Sequence, residues 1–468
     1  MGAFVCSLRG ALAAGLAALG LVRPALAEPE ATLTCLLVDT ATLPSEELAS
    51  QSSGRESVAR VTWLRRDPGF LTGVESSAQL RLDLQLDALR DDEAPELRDA
   101  SSWLKLELRA GESTKVSLQA FPFDTDGERL GYLHGLDWGG SDAAHGESIF
   151  VAQAGTVPGL ELGFRAAQVE LRAGLRWARS RPGFAGPQRL WGGLLRGSLT
   201  LASRLRSDFG LGYFERDVET AGAGVVHGGS WRWVLHTPGL REPELAAEPF
   251  RPPALRASDE LLGVAETAGA AVAVETVALA TRLRRFEQPA SSTLALAPAA
   301  ALYGSVRGDA LAAHLALSWR SLAFVQRNGS GLMRGETAPV GAVERPELAA
   351  WVGVGVRAPA GLVPSLQAGV LLPAALEMAS SLPGFGQSFV VREGGAVVAL
   401  PVGSARLPLM AARAALRFRA SRSLSLAVWL DFERDPNRVR FQGASGGARR
   451  VFAEANRFAL GAGMRAAL

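Results

Sequence analysis

The sequence is poor in cysteine, with only Cys6 and Cys35 among 468 residues. Cys6 falls in an N-terminal stretch that reads as a cleavable leader, so Cys35 is left alone and no intrachain disulfide can form. Leu33-Thr34 in front of Cys35 lack the small residue that a lipidation site carries, which excludes lipid attachment there as an expectation. Long apolar runs are missing too. Hydrophobic residues make up 48 % of the chain, yet no stretch after the leader reaches the ~18 residues that a membrane-crossing helix needs. Neither sign of charge dominates: Lys and Arg total 49 against 47 Asp and Glu. The first 27 residues hold Arg9, Arg23 and no acid, so the remainder is balanced, which argues against a nucleic-acid partner. Lysine occurs only at Lys105 and Lys115. The five histidines, His134, His145, His227, His236 and His314, form no i, i+4 pair and no H-E-x-x-H, so no metal site and no cofactor are expected.

What is present begins with a leader. Arg9 precedes an apolar stretch from Gly10 to Val22, and Ala25-Leu26-Ala27 stands before Glu28. Small residues at −3 and −1 suit signal peptidase, so residues 1–27 are expected to be removed on export. Residues 28–56 are polar with little periodicity and read as a separate N-terminal segment.

From residue 57 onward apolar and polar residues alternate in run after run. Leu80, Leu82, Leu84 and Leu86 stand against Arg81, Asp83, Gln85 and Asp87. Val169, Leu171, Ala173, Leu175 and Trp177 oppose Glu170, Arg172 and Arg176. The closing stretch is the clearest. Leu424, Leu426, Val428, Leu430 and Phe432 are followed by a second series, Phe458, Leu460, Met464 and Leu468, all on even positions. A period of two puts alternate side chains on opposite faces of a strand, whereas a helix repeats every 3.6 residues. About 14–18 such strands, most near ten residues, match the length a tilted strand needs to cross a bilayer. The last strand is expected to pair with an early one, near 57–65 or 79–89. Glu275 marks an apparent change of parity that suggests a bulge. The Pro-rich residues 237–257 read as a long loop or a boundary between two halves, and 328–348 as another polar loop.

Together these features predict an all-β, antiparallel, up-and-down transmembrane β-barrel over 57–468. The chain resembles Gram-negative outer-membrane β-barrel proteins of the porin-like type. Most of residues 57–468 takes part in that resemblance, with the leader and the patterned last strand. It implies an outer-membrane location, insertion by the barrel-assembly machinery through the C-terminal strand, oligomers in some members, and small hydrophilic solutes as partners. Aromatic residues are only 7 %, so the aromatic girdle would be thin. The final register ends on Leu468 where such barrels commonly end on Phe.

The even positions named above (Leu424, Leu426, Val428, Leu430, Phe432, Phe458, Leu460, Met464, Leu468) are then the lipid face. Candidate lumen residues are Arg413, Arg417, Arg419, Asp431, Glu433, His314, Arg320, Glu170 and Arg172. An Arg-rich face can filter solutes by charge or simply hold the wall through ion pairs. A hairpin turning near 420–422 would set Trp429 opposite Arg413 with Asp431 diagonal to it. The function expected is passive diffusion. The alternatives are a plugged barrel acting as a surface scaffold or adhesion platform through its long loops, and an outer-membrane lipid or ester hydrolase. For the last, Gly443-Ala444-Ser445-Gly446-Gly447 fits G-x-S-x-G but lacks the strand-to-helix context, so no enzyme is expected. Asp124, Asp126 and Glu128 read as a solvated acidic turn rather than a cation site.

Overall fold

The computed structural model describes residues 30–42, 54–68, 73–87, 96–99, 102–111, 113–123, 129–131, 136–137, 158–180, 188–215, 225–238, 268–285, 292–326, 336–337, 341–378, 386–391, 397–421, 423–444 and 447–467. Among these, the main sheet has 20 strands. Two short ones, Glu96–Asp99 and Glu336–Thr337, are appended to it. The other eighteen form one closed cycle. They are β1 Glu30–Thr42, β2 Gly54–Pro68, β3 Val74–Asp87, β4 Trp103–Arg109, β5 Lys115–Phe121 and β6 Gly159–Arg165. Then follow β7 Val169–Ser180, β8 Gln188–Ala202, β9 Leu205–Glu215, β10 Val225–His236, β11 Gly269–Arg285 and β12 Ser292–Arg307. The last six are β13 Leu311–Arg320, β14 Glu347–Val356, β15 Leu362–Leu372, β16 Leu409–Arg419, β17 Leu424–Arg434 and β18 Asn456–Ala467. Each pairs antiparallel with the next, and β18 pairs back onto β1. Closure leaves the sheet no open edge.

The closing partner is not the one expected. β18 meets Glu30–Thr42, within the stretch read as a polar segment, and not 57–65 or 79–89. Leu36-Leu37-Val38 put apolar residues on both parities of β1, which hides the strand period. The register makes a direct test. Cys35 and Met464 are cross-strand partners, and directly opposed Cα atoms lie ~4.5–5.5 Å apart, within disulfide reach. Met464→Cys should therefore cross-link to Cys35 under mild oxidation and give a faster band on boiled, unreduced gels. Unchanged migration would place the closure elsewhere.

The period of two holds around the barrel. Leu104, Leu106, Leu162, Leu175, Leu211, Leu235, Val352 and Leu366 are exposed on the outer face. Leu426, Val428, Leu430, Phe458 and Leu460 are exposed there as well, while Leu424, Phe432 and Met464 are half-buried on that face. Leu468 lies outside the described residues. Trp191, Trp231, Trp233 and Trp319 are on the outer face and exposed. At Glu275 the parity does not shift: β11 pairs without interruption to both neighbours. Val277 and Leu279 are apolar yet turned inward, where a segment described below covers Val277.

Connections fall into two classes by end. At one end the links are short: 69–73, 110–114, 166–168, 203–204, 308–310, 357–361 and 420–423. The longer links 88–102, 122–158, 321–346, 373–408 and 435–455 are at the other. Residues 237–268 break this rule, because they join β10 to β11 at the short-turn end. Since β10 and β11 pair directly over their length, the Pro-rich stretch is not a boundary between halves.

The long-link end carries its own small structure. Ala342–Arg345, Ala374–Met378, Gln387–Val391 and Val397–Ala399 form a four-stranded sheet, so 328–348 is not loop throughout. The short helix α1, Leu322–Gln326, packs Leu322 and Val325 against Ala374, Leu376 and Val391. Arg406 pins this cap by donating through Nη1 to the Pro346 and Pro373 carbonyls at 2.7 and 2.5 Å.

Candidate pore lining

The inner face is unevenly built. From β2 to β9 it carries charge: Arg60, Arg81, Lys105, Glu107, Lys115, Glu161, Glu170 and Arg172 among others. These groups pair laterally. Glu107 accepts from Lys105 at 2.9 Å and Lys115 at 2.6 Å. Glu170 accepts from Arg165 at 2.7 Å and from Arg172 at 2.8 Å, and Glu161 lies between Arg172 and Arg196 at 3.5 and 3.6 Å.

From β10 to β18 the inner face is largely small and aromatic. Ala273, Ala301, Tyr303, Ala316, Ala349 and Trp351 form a buried cluster with Val234. Glycine and alanine make room for the large rings. A Cβ on Gly461 would fall inside the Trp429 indole, and one on Gly353 inside the His314 ring. Aromatic side chains thus lie flat on the neighbouring strand instead of projecting into the lumen.

Two polar arrays interrupt this wall. In the first, Asp208, Arg232, Glu275 and Tyr303 link β9 to β12. Arg232 Nε donates to Asp208 Oδ2 at 2.7 Å, Arg232 Nη1 donates to the Tyr303 hydroxyl at 3.4 Å, and that hydroxyl donates to Glu275 Oε2 at 3.2 Å. The second is a cross-strand row: Ser305, His314, Gly353, Gln367, Arg413 and Asp431 are successive partners from β12 to β17. Arg413 grips Asp431 with two bonds, Nε to Oδ1 at 2.5 Å and Nη2 to Oδ2 at 3.0 Å.

That pairing corrects the expected register. Asp431, not Trp429, is the direct partner of Arg413, and Trp429 faces Ala415. The turn is two residues longer than expected: Arg419 pairs with Ser425, and the Ser423 amide donates to Ser421 Oγ at 3.2 Å.

The other candidates divide by position. Glu433 accepts from Arg438 at 3.3 Å. Arg320 binds Glu347 through Nε at 2.5 Å near the long-link end. His314 is half-buried on β13. Arg417 and Arg419 lie towards the short turns, where Arg357 and Arg417 are each close enough to Arg307 to repel it. The structure therefore does not gather the candidate residues into one constriction. Of the remaining motifs, Asp124, Asp126, Glu128 and Ser445 lie outside the described residues. The strands around Ser445 pair with each other up to Ala444 and Gly447, so no helix follows it.

The feature that sequence reading missed comes from the long link between β5 and β6. Its short hairpin, Arg129–Leu130 with Leu136–Asp137, turns inward. Leu130 is fully buried, and its Cδ1 lies 2.8 Å from where a Cβ on Gly210 would be. Gly131 has φ +80°, and a Cβ there would come within 2.8 Å of Glu275 Oε1 and 2.9 Å of Val277 Cγ2. The described residues of this hairpin thus lie against the inner face of β9–β11 and narrow the lumen beside the Asp208–Tyr303 array. No alternation marks it, because two residues wedged against a wall have no period.

No family model and no curated protein matches the sequence. Solved structures with a similar course include OpdL of Pseudomonas aeruginosa, at 12 % identity over 94 % of this chain and 99 % of that one, with TM-score 0.46. OccAB1 of Acinetobacter baumannii shares 8 % identity over 94 % and 97 % of the two chains, with TM-score 0.49. The outer membrane protein OpdK of Pseudomonas aeruginosa shares 11 % over 94 % and 98 %, with TM-score 0.47.

Proposed function

We propose that this chain, freed of residues 1–27, is a barrel of the Gram-negative outer membrane through which small hydrophilic solutes diffuse, and that it catalyses no reaction. The carrying observation is the opposition of the two faces of one closed sheet. The outer face exposes Leu, Val or Trp on most of the described strands, while most Arg, Lys, Asp and Glu of the strands, with Glu215 and Arg434 as exceptions, point inward. A soluble protein does not leave an apolar surface of that extent in water, whereas lipid solvates it. With both chain ends of the barrel at the short-turn end, that end faces the periplasm and the long links face outward. β18, whose outer register holds Phe458 and Leu460, is the segment offered to the assembly machinery, and self-association within the membrane fits this reading.

The inner wall supports sieving by size before sieving by sign. Most strand charges are spent on lateral ion pairs, and the narrowing is made by the inward hairpin. Purified protein in planar bilayers should give discrete conductance steps, and liposomes carrying it should swell in small sugars faster than in larger ones. An absence of channels at every voltage would overturn the pore and favour the plugged scaffold. Recovery in the periplasmic fraction, with no mobility change between boiled and unboiled samples, would remove the membrane as well.

A further inference from the structure

The link from β17 to β18 is a stiff hairpin at the outward end. Its strands, Val439–Ala444 and Gly447–Phe452, pair residue for residue. Below them the Ala453 amide donates to the Arg438 carbonyl at 2.9 Å and the Asp435 amide to the Ala455 carbonyl at 2.7 Å. Val439 anchors the base among Ala375, Val390 and Leu400 of the cap. Above this base Arg440, Gln442, Arg449 and Arg450 are exposed, and so are Phe441 and Phe452, at 40 % and 41 %. Arg450 lies over the Phe441 ring, 5.5 Å from its centroid.

Acid is missing where these cations stand. From 436 to 453 the sequence has no Asp or Glu. Of the flanking acids, Glu433 is held by Arg438, Asp435 is buried, and Glu454 accepts from Asn456 at 3.1 Å. The barrel wall directly beneath completes the pattern. On the outer face of β17, Leu430 is followed by Phe432, which packs on Phe458 at 5.1 Å between centroids, and then by exposed Arg434. Apolar, aromatic and cationic side chains in that order match the passage from hydrocarbon to headgroup.

We propose that Arg434 and this hairpin form a docking rim for phosphate-bearing lipid headgroups of the outer leaflet. The proposal rests on the membrane reading above and goes beyond the pore. Guanidinium groups bind phosphate oxygens in bidentate fashion, and the two exposed phenyl rings suit a partner with an apolar body. A free anion would use the arginines and leave the rings in water, which is why a lipid is favoured.

The test uses the full-length, refolded protein in detergent micelles, with diphosphoryl lipid A and its dephosphorylated form as probes, read by native mass spectrometry. Wild type should retain the phosphorylated lipid roughly tenfold better than the dephosphorylated one, and added salt should erode that preference. Arg440→Gln/Arg449→Gln/Arg450→Gln, all at exposed positions, should lose the preference while keeping the heat-dependent gel shift. Equal retention of the two lipids by wild type overturns the rim without recourse to any variant. So does competition by millimolar inorganic phosphate, which would mark a simple anion site. Conductance is recorded on the same preparations: protein that conducts and shows no lipid preference removes the rim alone, and protein that does neither removes the pore reading also.

Discussion

Replacing Asp431 by Ala should lower the stability of the folded barrel by about 3–5 kcal/mol, the usual consequence of stranding one charge of a buried pair. Arg413 is 3 % exposed, and two of its three guanidinium nitrogens are spent on Asp431. Its remaining Nη1 is buried without a hydrogen-bond partner. The next residue in the row, Gln367, offers a neutral carbonyl and no charge to take over. With Asp431 gone, the buried guanidinium is left without its counter-ion. The double variant Arg413→Met/Asp431→Leu removes both charges and should cost far less. Urea titration in detergent, followed by loss of the unboiled gel form, measures both. Equal losses in single and double variants would show that packing, and not charge, makes this contact matter.

That pair also marks how far the sequence could be read. Alternation located β16 and β17 and assigned Arg413 and Asp431 to one face, because the period of two needs no knowledge of neighbours. The pairing itself depends on the turn, and five residues between Arg419 and Ser425 instead of three moved Asp431 from a diagonal position to a direct one. Faces are local properties and registers are not. β1 was hidden for a different reason: its apolar residues occupy both parities, so its strand character comes from its two partners and not from its own pattern. At Glu275 the opposite error arose. Val277 looks like a residue of the outer face, yet it is turned inward by the unbroken strand register and lies beside Gly131 of the inward hairpin. An apolar residue marks contact with something apolar, and the sequence does not say whether that is lipid or a folded-in link. The placement of 237–268 at the short-turn end follows from counting strands, which a sequence with one unrecognised strand does not permit.

The inward hairpin carries the largest expected change in transport. Gly131→Val should raise single-channel conductance about twofold or more, since the narrowest part of a lumen dominates its resistance. Two independent effects act on the substituted residue. The backbone at φ +80° disfavours any β-branched side chain. The Cβ would also press on the Glu275 carboxylate at 2.8 Å and on Val277 at 2.9 Å, and Glu275 cannot yield without breaking its bond from Tyr303. The link then has to leave the wall, and Leu130 loses its burial against Gly210. Backbone strain and exclusion from the wall can be told apart. Gly341 has φ +82° but open space around its Cα, so Gly341→Val bears the strain alone and should leave conductance unchanged. If Gly131→Val conducts as wild type does, with the barrel shown intact by its gel shift, the hairpin does not define the narrowing, and the side chains of the Asp208–Arg232–Glu275–Tyr303 array would be the next candidates for it.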